Sequence, residues 1–299
     1  MPIFFTSFVR SLHPIEKVVV VGTSGAVGTT IVQALCFQVS VLTRSSPNKS
    51  FPSSVKVIQT DYTQDSLLQA FHSQQAVVSV LAASSAGLQH AVVDAAIACG
   101  LRHFIPSEYG VDSESDAAIA VFPPLESKIA AINYLRARED KITWTALIIG
   151  CLFDWCFDHP PFGGWSLENN KATVCDGGDT PFEATTMPQL GHAVVAVLRH
   201  QDLVTNQNVC VNSFTVTQNQ IIKSFERAGN GQLAVTHART DSTWQRGVEQ
   251  VQKGGTECMQ GVVKIITAAF YGHGGLNFYS TKHGLWNERL DLLRKTWIG

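Results

Sequence analysis

The sequence lacks a long apolar run and lacks an excess of basic residues. No stretch approaches the roughly 20 consecutive apolar residues of a membrane-spanning helix, so we expect no membrane partner. The 22 Lys and Arg residues are offset by 24 Asp and Glu residues. Because general affinity for nucleic acid needs a basic excess, we expect no nucleic-acid partner either.

The sequence also lacks a cysteine pattern that would indicate disulfides or zinc. Its seven cysteines are odd in number and widely spaced, which argues against a disulfide framework. Cys151, Cys156 and His159 form the one close Cys/His group, and they lack the paired spacing of zinc ligands. We therefore expect free thiols, no metal and a cytoplasmic location, with the chain a monomer or a homodimer.

The first half contains a regular alternation of strand-like and helix-like segments. Strands are predicted at 17–21 (KVVVV), 39–42, 55–58, 76–81, 103–106 and 143–149, and helices at 27–35, 64–72, 88–99 and 128–138. Apolar strands that alternate with helices of this length indicate a doubly wound parallel sheet, the Rossmann-type α/β fold. We assign this domain to residues 16–150, after an N-terminal extension of residues 1–15.

The second half is less regular. An aromatic, loop-like stretch is expected at 153–165, short strands at 172–175 and 209–212, and helices at 190–199, 218–228, 256–271 and 285–297. This mixture predicts a smaller, mixed α/β lobe over residues 151–299. We expect this lobe to bind the substrate and to be interleaved with the first domain.

A glycine-rich turn follows the first predicted strand. It reads G-x-x-G-x-x-G and comprises Gly22, Thr23, Ser24, Gly25, Ala26, Val27 and Gly28. Glycines permit a tight turn and a close approach of backbone to a pyrophosphate, and the helix that follows contributes N–H groups and its positive dipole end. Directly after a buried strand, the turn predicts a dinucleotide site. The alternative is an ordinary strand–turn–helix connection without a ligand.

The second strand ends without the acidic residue that commonly binds the ribose hydroxyls of NAD. It ends instead in Arg44, with Lys49 close behind. A guanidinium can pair bidentately with a 2′-phosphate, so we expect these two cations to select NADP(H), unless Arg44 is a solvated surface residue. Asp61, after the third strand, is a candidate for the adenine side, and Ala82, after the fourth, for a further cofactor contact.

These features and two later motifs resemble the isoflavone reductase-like and NmrA-like group of atypical short-chain dehydrogenases. The matching segments are the glycine turn, the strand end Val-Leu-Thr-Arg44, His103-Phe-Ile-Pro-Ser-Glu-Tyr-Gly110, and Glu126-Ser-Lys128. The resemblance implies a Rossmann domain with a smaller substrate lobe, use of NADPH, and reduction of aromatic or phenolic natural products. Some members of the group are instead co-regulators that bind the dinucleotide and catalyse nothing.

Lys128 is the candidate catalytic residue. Ile132 and Leu135 follow it at helical spacing, so Lys128 stands at the head of an inward-facing apolar stripe. A lysine there either extends its charged group to solvent or has a role in the active site. The resemblance implies an active-site role, in which Lys128 binds the nicotinamide ribose or transfers a substrate proton. Ordinary short-chain dehydrogenases carry a tyrosine four residues before this lysine, and here Pro124 stands in its place.

Three polar residues follow the fifth strand. We expect Ser107 to contact the cofactor and Tyr109 to line the substrate pocket, where Tyr109 is also a candidate to replace the missing tyrosine. Glu108 is interpreted as a structural acid that caps or pairs nearby.

The aromatic segment after the sixth strand supplies the other pocket candidates. They are Phe153, Trp155, Phe157 and His159. Aromatic loops suit a flat, apolar substrate, with the histidine as a polar anchor. The alternative is that these rings pack the core of the second lobe.

The combined prediction is an NADPH-dependent reductase of secondary metabolism that acts on a C=C, C=O or C=N bond of a small aromatic molecule. Two alternatives stay open, a redox-sensing co-regulator that binds NAD(P) and a non-redox isomerase or cyclase on the same fold. Lys128 favours an enzyme over a sensor, and Arg44 favours a phosphate-selective cofactor.

Overall fold

The structure is a computed structural model that describes residues 14–44, 51–82, 85, 87–114, 125–229, 231–272 and 279–294. Lys49 and nearly all of the expected N-terminal extension lie outside these residues. Ile15, the last residue of that extension, is buried in the core.

The first half forms six strands and four helices within the described residues. The strands are β1 (Lys17–Val21), β2 (Gln38–Thr43), β3 (Lys56–Gln59), β4 (Ala76–Ser79), β5 (His103–Ile105) and β6 (Thr143–Ile148). The helices are α1 (Ala26–Ala34), α2 (Gln64–Phe71), α3 (Leu88–Ala98) and α4 (Glu126–Arg136). Each of these elements overlaps its predicted counterpart, with bounds that shift by at most two residues.

The second half contains the remaining elements. The strands are β7 (Cys151–Leu152), β8 (Trp165–Ser166), β9 (Lys171–Cys175), β10 (Phe182–Thr185), β11 (Gln207–Cys210), β12 (Phe214–Val216) and β13 (Ala234–Ala238). The helices are α5 (Phe153–Asp158), α6 (Met187–Arg199), α7 (Gln201–Val204), α8 (Gln218–Arg227), α9 (Thr240–Lys253), α10 (Glu257–Tyr271) and α11 (Ser280–His283). None of the helices in the described ranges is both long and apolar enough to cross a bilayer.

A seven-stranded parallel sheet organises the molecule, in the order β11-β6-β5-β4-β1-β2-β3. Successive residues of β1 face opposite sides of this sheet. Val18 and Val20 belong to one apolar cluster with Leu190 of α6, whereas Val19 and Val21 belong to a second cluster. Both faces of the sheet are therefore covered, which explains why β1 reads as a continuous β-branched run rather than an alternating one.

The two halves of the chain are interleaved at this sheet. Strand β11 comes from the second half, yet it pairs in parallel with β6. Helix α6 packs on α1, where Gly191 lies so close to Ala34 that a Cβ on it would come within 2.5 Å of the Ala34 Cβ. The seven-stranded sheet and the second half of the chain therefore share one core. Two small sheets, β12-β10-β7 and β13-β9-β8, build the remaining part of the second half.

The predicted helix at 285–297 is wrong over its described part. Only a short 3-10 turn, Glu288–Leu290, forms there. The buried Asn287 explains the difference: its side chain accepts from the backbone N–H of Asn212 at 3.2 Å and donates to the Asn212 carbonyl at 2.7 Å. The segment is thereby held against the end of β11 instead of coiling into a helix.

Helix α9 was not expected, because its sequence is largely polar and carries Gly247 at its centre. That glycine lies against Gly261 of α10, where a Cβ would meet the Gly261 carbonyl oxygen at 2.8 Å. The two helices thus stabilise each other through a close backbone crossing that hydropathy does not reveal. The expected aromatic loop is also wrong in part, since α5 occupies its first six residues.

Candidate active site

A cleft of about 600 Å³ opens at the carboxyl ends of β1, β2, β4 and β5, the edge at which open α/β sheets bind ligands. Its lining includes most of the predicted site residues, namely Gly22, Thr23, Ser24, Gly25, Ala26, Val27, Gly28, Arg44, Ala82, Ser107, Tyr109, Lys128 and Trp155. The remaining lining residues were not predicted: Leu42, Thr43, Tyr62, Val80, Leu81, Ser85, Leu88, Glu108 and Leu152.

The glycine turn is fixed by close backbone contacts. Gly22 has φ +92°, and a Cβ on it would lie 2.4 Å from the Val80 carbonyl oxygen. A Cβ on Gly28 would lie 2.8 Å from the Thr23 Cα. Both positions therefore require glycine, one for its conformation and both for space.

Gly25 differs from these two glycines because no described residue other than its own chain neighbours and helix backbone comes within 4 Å of where its Cβ would be. It is the N-cap residue of α1. A glycine N-cap offers no side-chain acceptor, so the N–H groups of the first turn remain available on the cleft side of the helix. The open space and these donors together fit a diphosphate, which helix N-termini bind through N–H groups and dipole.

Arg44 and Tyr62 form the far end of the cleft. Both line the cavity. Burial raises the pKa of the Tyr62 phenol, and the nearby Arg44 cation opposes that rise. Tyr62 has φ +63°, an uncommon conformation for a bulky residue. The cation and the ring provide a phosphate-binding group and an aromatic face side by side.

Asp61 does not line the cleft. Its carboxylate accepts hydrogen bonds from the backbone N–H of Thr63 at 3.0 Å and from the Thr63 hydroxyl at 2.7 Å. These bonds lower the pKa of Asp61. Thr63 is the N-cap of α2, so Asp61 orders the turn into that helix rather than facing the adenine side.

Gln89 and Ser107 align the ends of β4 and β5. The Ser107 hydroxyl donates to the Leu81 carbonyl at 2.9 Å, and its N–H donates to the Gln89 side-chain oxygen at 3.3 Å. The same Gln89 oxygen accepts from the Ser79 hydroxyl at 2.8 Å. These three bonds set the spacing of two strand ends on the cleft floor.

Lys128 stands at the third position of α4 and reaches the cleft. Ile132 and Leu135, on the same face of the helix, are buried. The Lys128 ammonium donates to the backbone carbonyl of Glu108. Buried apolar residues therefore hold the helix, while the charged head lies beside the end of β5.

Glu108 is almost completely buried, with 1% of its surface exposed. Its Oε2 accepts from the Ser113 hydroxyl at 2.7 Å. Burial raises the pKa of Glu108, and the Lys128 cation and the Ser113 bond oppose that rise. The bond to Ser113 agrees with the interpretation of Glu108 as a structural acid, although its position in the cleft wall was not expected.

Tyr109 presents its ring to the cleft but not its hydroxyl. The phenol oxygen is shielded from solvent and has no hydrogen-bond partner among the described residues. Burial raises the pKa of this phenol above its ordinary value. The hydroxyl that Tyr109 would need as a proton donor is therefore shielded in this geometry.

Only one ring of the aromatic segment lines the cleft, that of Trp155. Phe153 packs edge-on against Phe157 and Phe214, with ring centroids 4.7 and 4.9 Å away. His159 is exposed and stacks on the outer side of Trp155 at 4.3 Å. Three of the four candidates from this segment, Phe153, Phe157 and His159, are therefore not brought into the cleft.

A model of the NmrA-like family matches residues 14–253 of the chain. The chain belongs to the NmrA-like family. Among curated proteins it is similar to oxidoreductase aprR of Aspergillus flavus, with 29% identity over 267 residues that cover 87% of this chain and 89% of the relative. The resemblance stated from the motifs is confirmed.

Two solved structures share the fold of this NmrA-like chain. A leucoanthocyanidin reductase–NADPH complex from Vitis vinifera has a TM-score of 0.74 and 16% identity, covering 94% of this chain and 96% of its own. A structure of the pinoresinol-lariciresinol and phenylcoumaran benzylic ether reductases, described with their relationship to isoflavone reductases, has a TM-score of 0.72 and 18% identity over 94% and 96% of the two chains. These matches confirm the predicted fold class.

Proposed function

We propose that the protein is an NADPH-dependent reductase of a small aromatic molecule. The observation that carries this proposal is the composition of one continuous cleft. It combines a glycine turn at a helix N-terminus, a cation at the end of β2, and a lysine and an indole at its other side. The oxidoreductase name of the relative and the NADPH complex of the structural neighbour support the same class and cofactor.

The described residues fit NADP(H). The open space at Gly25 and the first turn of α1 accept the diphosphate. The Arg44 guanidinium would donate to the 2′-phosphate, and the Tyr62 ring would lie at the adenine end. Ser107 and Lys128 lie at the ends of β5 and α4, where they are placed to hold the nicotinamide end. When bound, this cofactor supplies the hydride.

Trp155, Leu152 and Tyr109 form the apolar wall of the cleft. A wall that contains an indole and a phenol ring favours flat, aromatic ligands over polar ones. The structural neighbour described with pinoresinol-lariciresinol reductases supports an aromatic substrate. A C=C, C=O or C=N bond conjugated to an aromatic ring is the group that we propose is reduced.

Lys128 is the group that we propose donates the proton. Its ammonium can donate to a substrate oxygen or nitrogen on which negative charge develops, which lowers the barrier by general acid catalysis. The Glu108 carbonyl, which already accepts from this ammonium, keeps Nζ directed along the cleft. Tyr109 and Trp155 exclude water from the same region.

The experiment is a turnover screen of aromatic enones, ketones and imines with NADPH. Turnover is monitored as loss of NADPH absorbance, and the product is identified by mass spectrometry. We expect a product two hydrogens heavier than the substrate and a preference for substrates with a ring. Saturable NADPH binding without turnover of any aromatic class would contradict the reductase proposal and favour a dinucleotide-binding regulator. A product of unchanged mass would favour an isomerase or cyclase.

A further inference from the structure

We propose that Asp154 is a positioning residue that ties the Trp155 wall of the substrate cleft to the cofactor-binding half of the molecule. This inference rests on the proposed function of Trp155. Asp154 is the second residue of α5 and is not part of the cleft lining. Its role would be to set the distance between the indole and the opposite side of the cleft.

Two short strands end side by side just before α5 and α6. Strand β7 pairs in parallel with β10, with Leu152 opposite Thr185. Helix α5 follows β7 directly, and α6 follows β10 after one residue. The two helices therefore start next to each other at one edge of the small sheet.

The Asp154 carboxylate bridges the two helix starts. Both of its oxygens accept from the backbone N–H of Met187, the first residue of α6, at 2.9 and 3.0 Å. Oδ1 also accepts from the backbone N–H of Trp155 at 3.1 Å. One negative charge thus satisfies N–H donors at the positive ends of two helices, a favourable arrangement.

The anchor to which Asp154 connects is rigid. Leu190 and Val194 of α6 are fully buried in the core that also contains Val18 and Val20 of β1. Helix α5, in contrast, has six residues, of which Cys156 alone is buried. An isolated helix of this length is unstable. The bond to α6 is therefore a main constraint on the orientation of Trp155 relative to the cofactor side.

Two complementary variants test the tether from its two ends. Asp154→Ala removes the acceptor. Met187→Pro removes the donor together with the methionine side chain, and it should not disturb the backbone, because proline fits the first position of a helix and Thr186 already has the extended conformation that precedes proline. Met187→Ala, which loses the same side chain and keeps the N–H, is its control. Asp158→Ala, an exposed carboxylate at the other end of α5, is the matched control. Asp154→Asn keeps one oxygen acceptor and should restore most of the wild-type behaviour.

The measurements are hydrogen exchange of the α5 amides, the Kd for NADPH, and KM and kcat for benzylideneacetone, an aromatic enone. We expect faster exchange in Asp154→Ala and Met187→Pro, and about a tenfold rise in KM, the size expected for loss of one charge-assisted hydrogen bond. The values of kcat and of the NADPH Kd should change less than about twofold. The double variant should be no worse than Asp154→Ala, because that variant already removes the bond to the Met187 N–H.

Three results would overturn the proposal: wild-type exchange in both variants, an unchanged KM, or an equal effect of Asp158→Ala. A wild-type protein that turns over no aromatic substrate would overturn the proposed function instead. The exchange data alone would then decide whether Asp154 holds α5. If Asp154→Ala does not fold, Met187→Pro gives the same comparison with the carboxylate intact.

Discussion

The glycine turn and the aromatic segment contribute opposite sides of one cleft, and they are held by different kinds of contact. The turn is defined by backbone: a Cβ at Gly22 would collide with the Val80 carbonyl. The aromatic segment is defined by rings that pack on rings, with Phe153 in contact with both Phe157 and Phe214. Backbone contacts of the first kind restrict residue identity strictly, whereas ring packing allows many identities at each position.

This difference explains which side of the cleft is fixed and which side is adaptable. The residues that meet the diphosphate region belong to the sheet core and its first turn. Trp155, which we propose meets the substrate, belongs to a six-residue helix. We infer that cofactor binding tolerates little change in this protein, and that substrate preference is set by the aromatic helix.

The largest effect is expected for Lys128→Ala. The loss of the proton donor should reduce turnover by about 10²–10⁴, the usual contribution of general acid–base catalysis. Folding should persist, because Ile132 and Leu135 still anchor α4, and NADPH should still bind through its diphosphate and 2′-phosphate ends. Lys128→Arg should also be poor, since guanidinium does not release its proton near neutral pH. Steady-state and calorimetric measurements on both variants check this, and full activity of the alanine variant would reduce Lys128 to a solvated residue.

A comparison of Gly22→Ala with Gly25→Ala tests the backbone-defined side. Gly22→Ala should lose roughly 1–3 kcal/mol of folding free energy from strain alone, and more from the clash with Val80. Gly25→Ala should keep the wild-type melting temperature, because the space around it is open. It should nevertheless weaken NADPH binding, since its methyl group enters the space for the diphosphate. Equal stability of the two variants would contradict the conclusion that backbone contacts constrain Gly22 but not Gly25.

Trp155→Ala and Phe157→Ala test the aromatic side and should have smaller effects. Phe157 packs on Trp165 and Phe153, so its truncation should cost about 2 kcal/mol of stability, below the roughly 3–5 kcal/mol of a fully buried ring. Trp155→Ala should raise KM for aromatic substrates about tenfold, as expected for about 1.4 kcal/mol of lost binding. Thermal unfolding and kinetics of both variants separate these outcomes. A stability loss in Trp155→Ala together with a raised KM in Phe157→Ala would instead place the pocket at the other face of α5.

Much of the cofactor side could be predicted from the sequence, because its signals are local. The β-branched run of β1 and the glycines after it specify a buried strand and a tight turn by their composition. Tyr62 was missed although it stands beside a candidate that was considered, Asp61. Tyr62 lines the cleft with φ +63°, a conformation that no sequence pattern indicates for tyrosine.

The aromatic side was less predictable, because the segment was expected to be a loop. Once it is a helix, Phe153 and Phe157 are four residues apart and share one face, and Trp155 lies on the opposite face. If the segment had been predicted as a helix, its periodicity would have distinguished Trp155, which lines the cleft, from Phe153 and Phe157, which pack in the core. Helix α9 was missed for a related reason, since its stability depends on the close contact of Gly247 with Gly261.

The most direct test of the account is calorimetric titration of the wild-type protein and Arg44→Ala with NADPH and NADH. The wild type should bind NADPH more tightly than NADH, because the cleft ends in a cation and lacks an acid at the end of β2. Arg44→Ala should lose about 1.5–3 kcal/mol of NADPH affinity, typical of a charge-assisted hydrogen bond, and bind NADH unchanged. Equal affinities of the wild type for the two dinucleotides would contradict the central claim that this cleft is built for NADP(H).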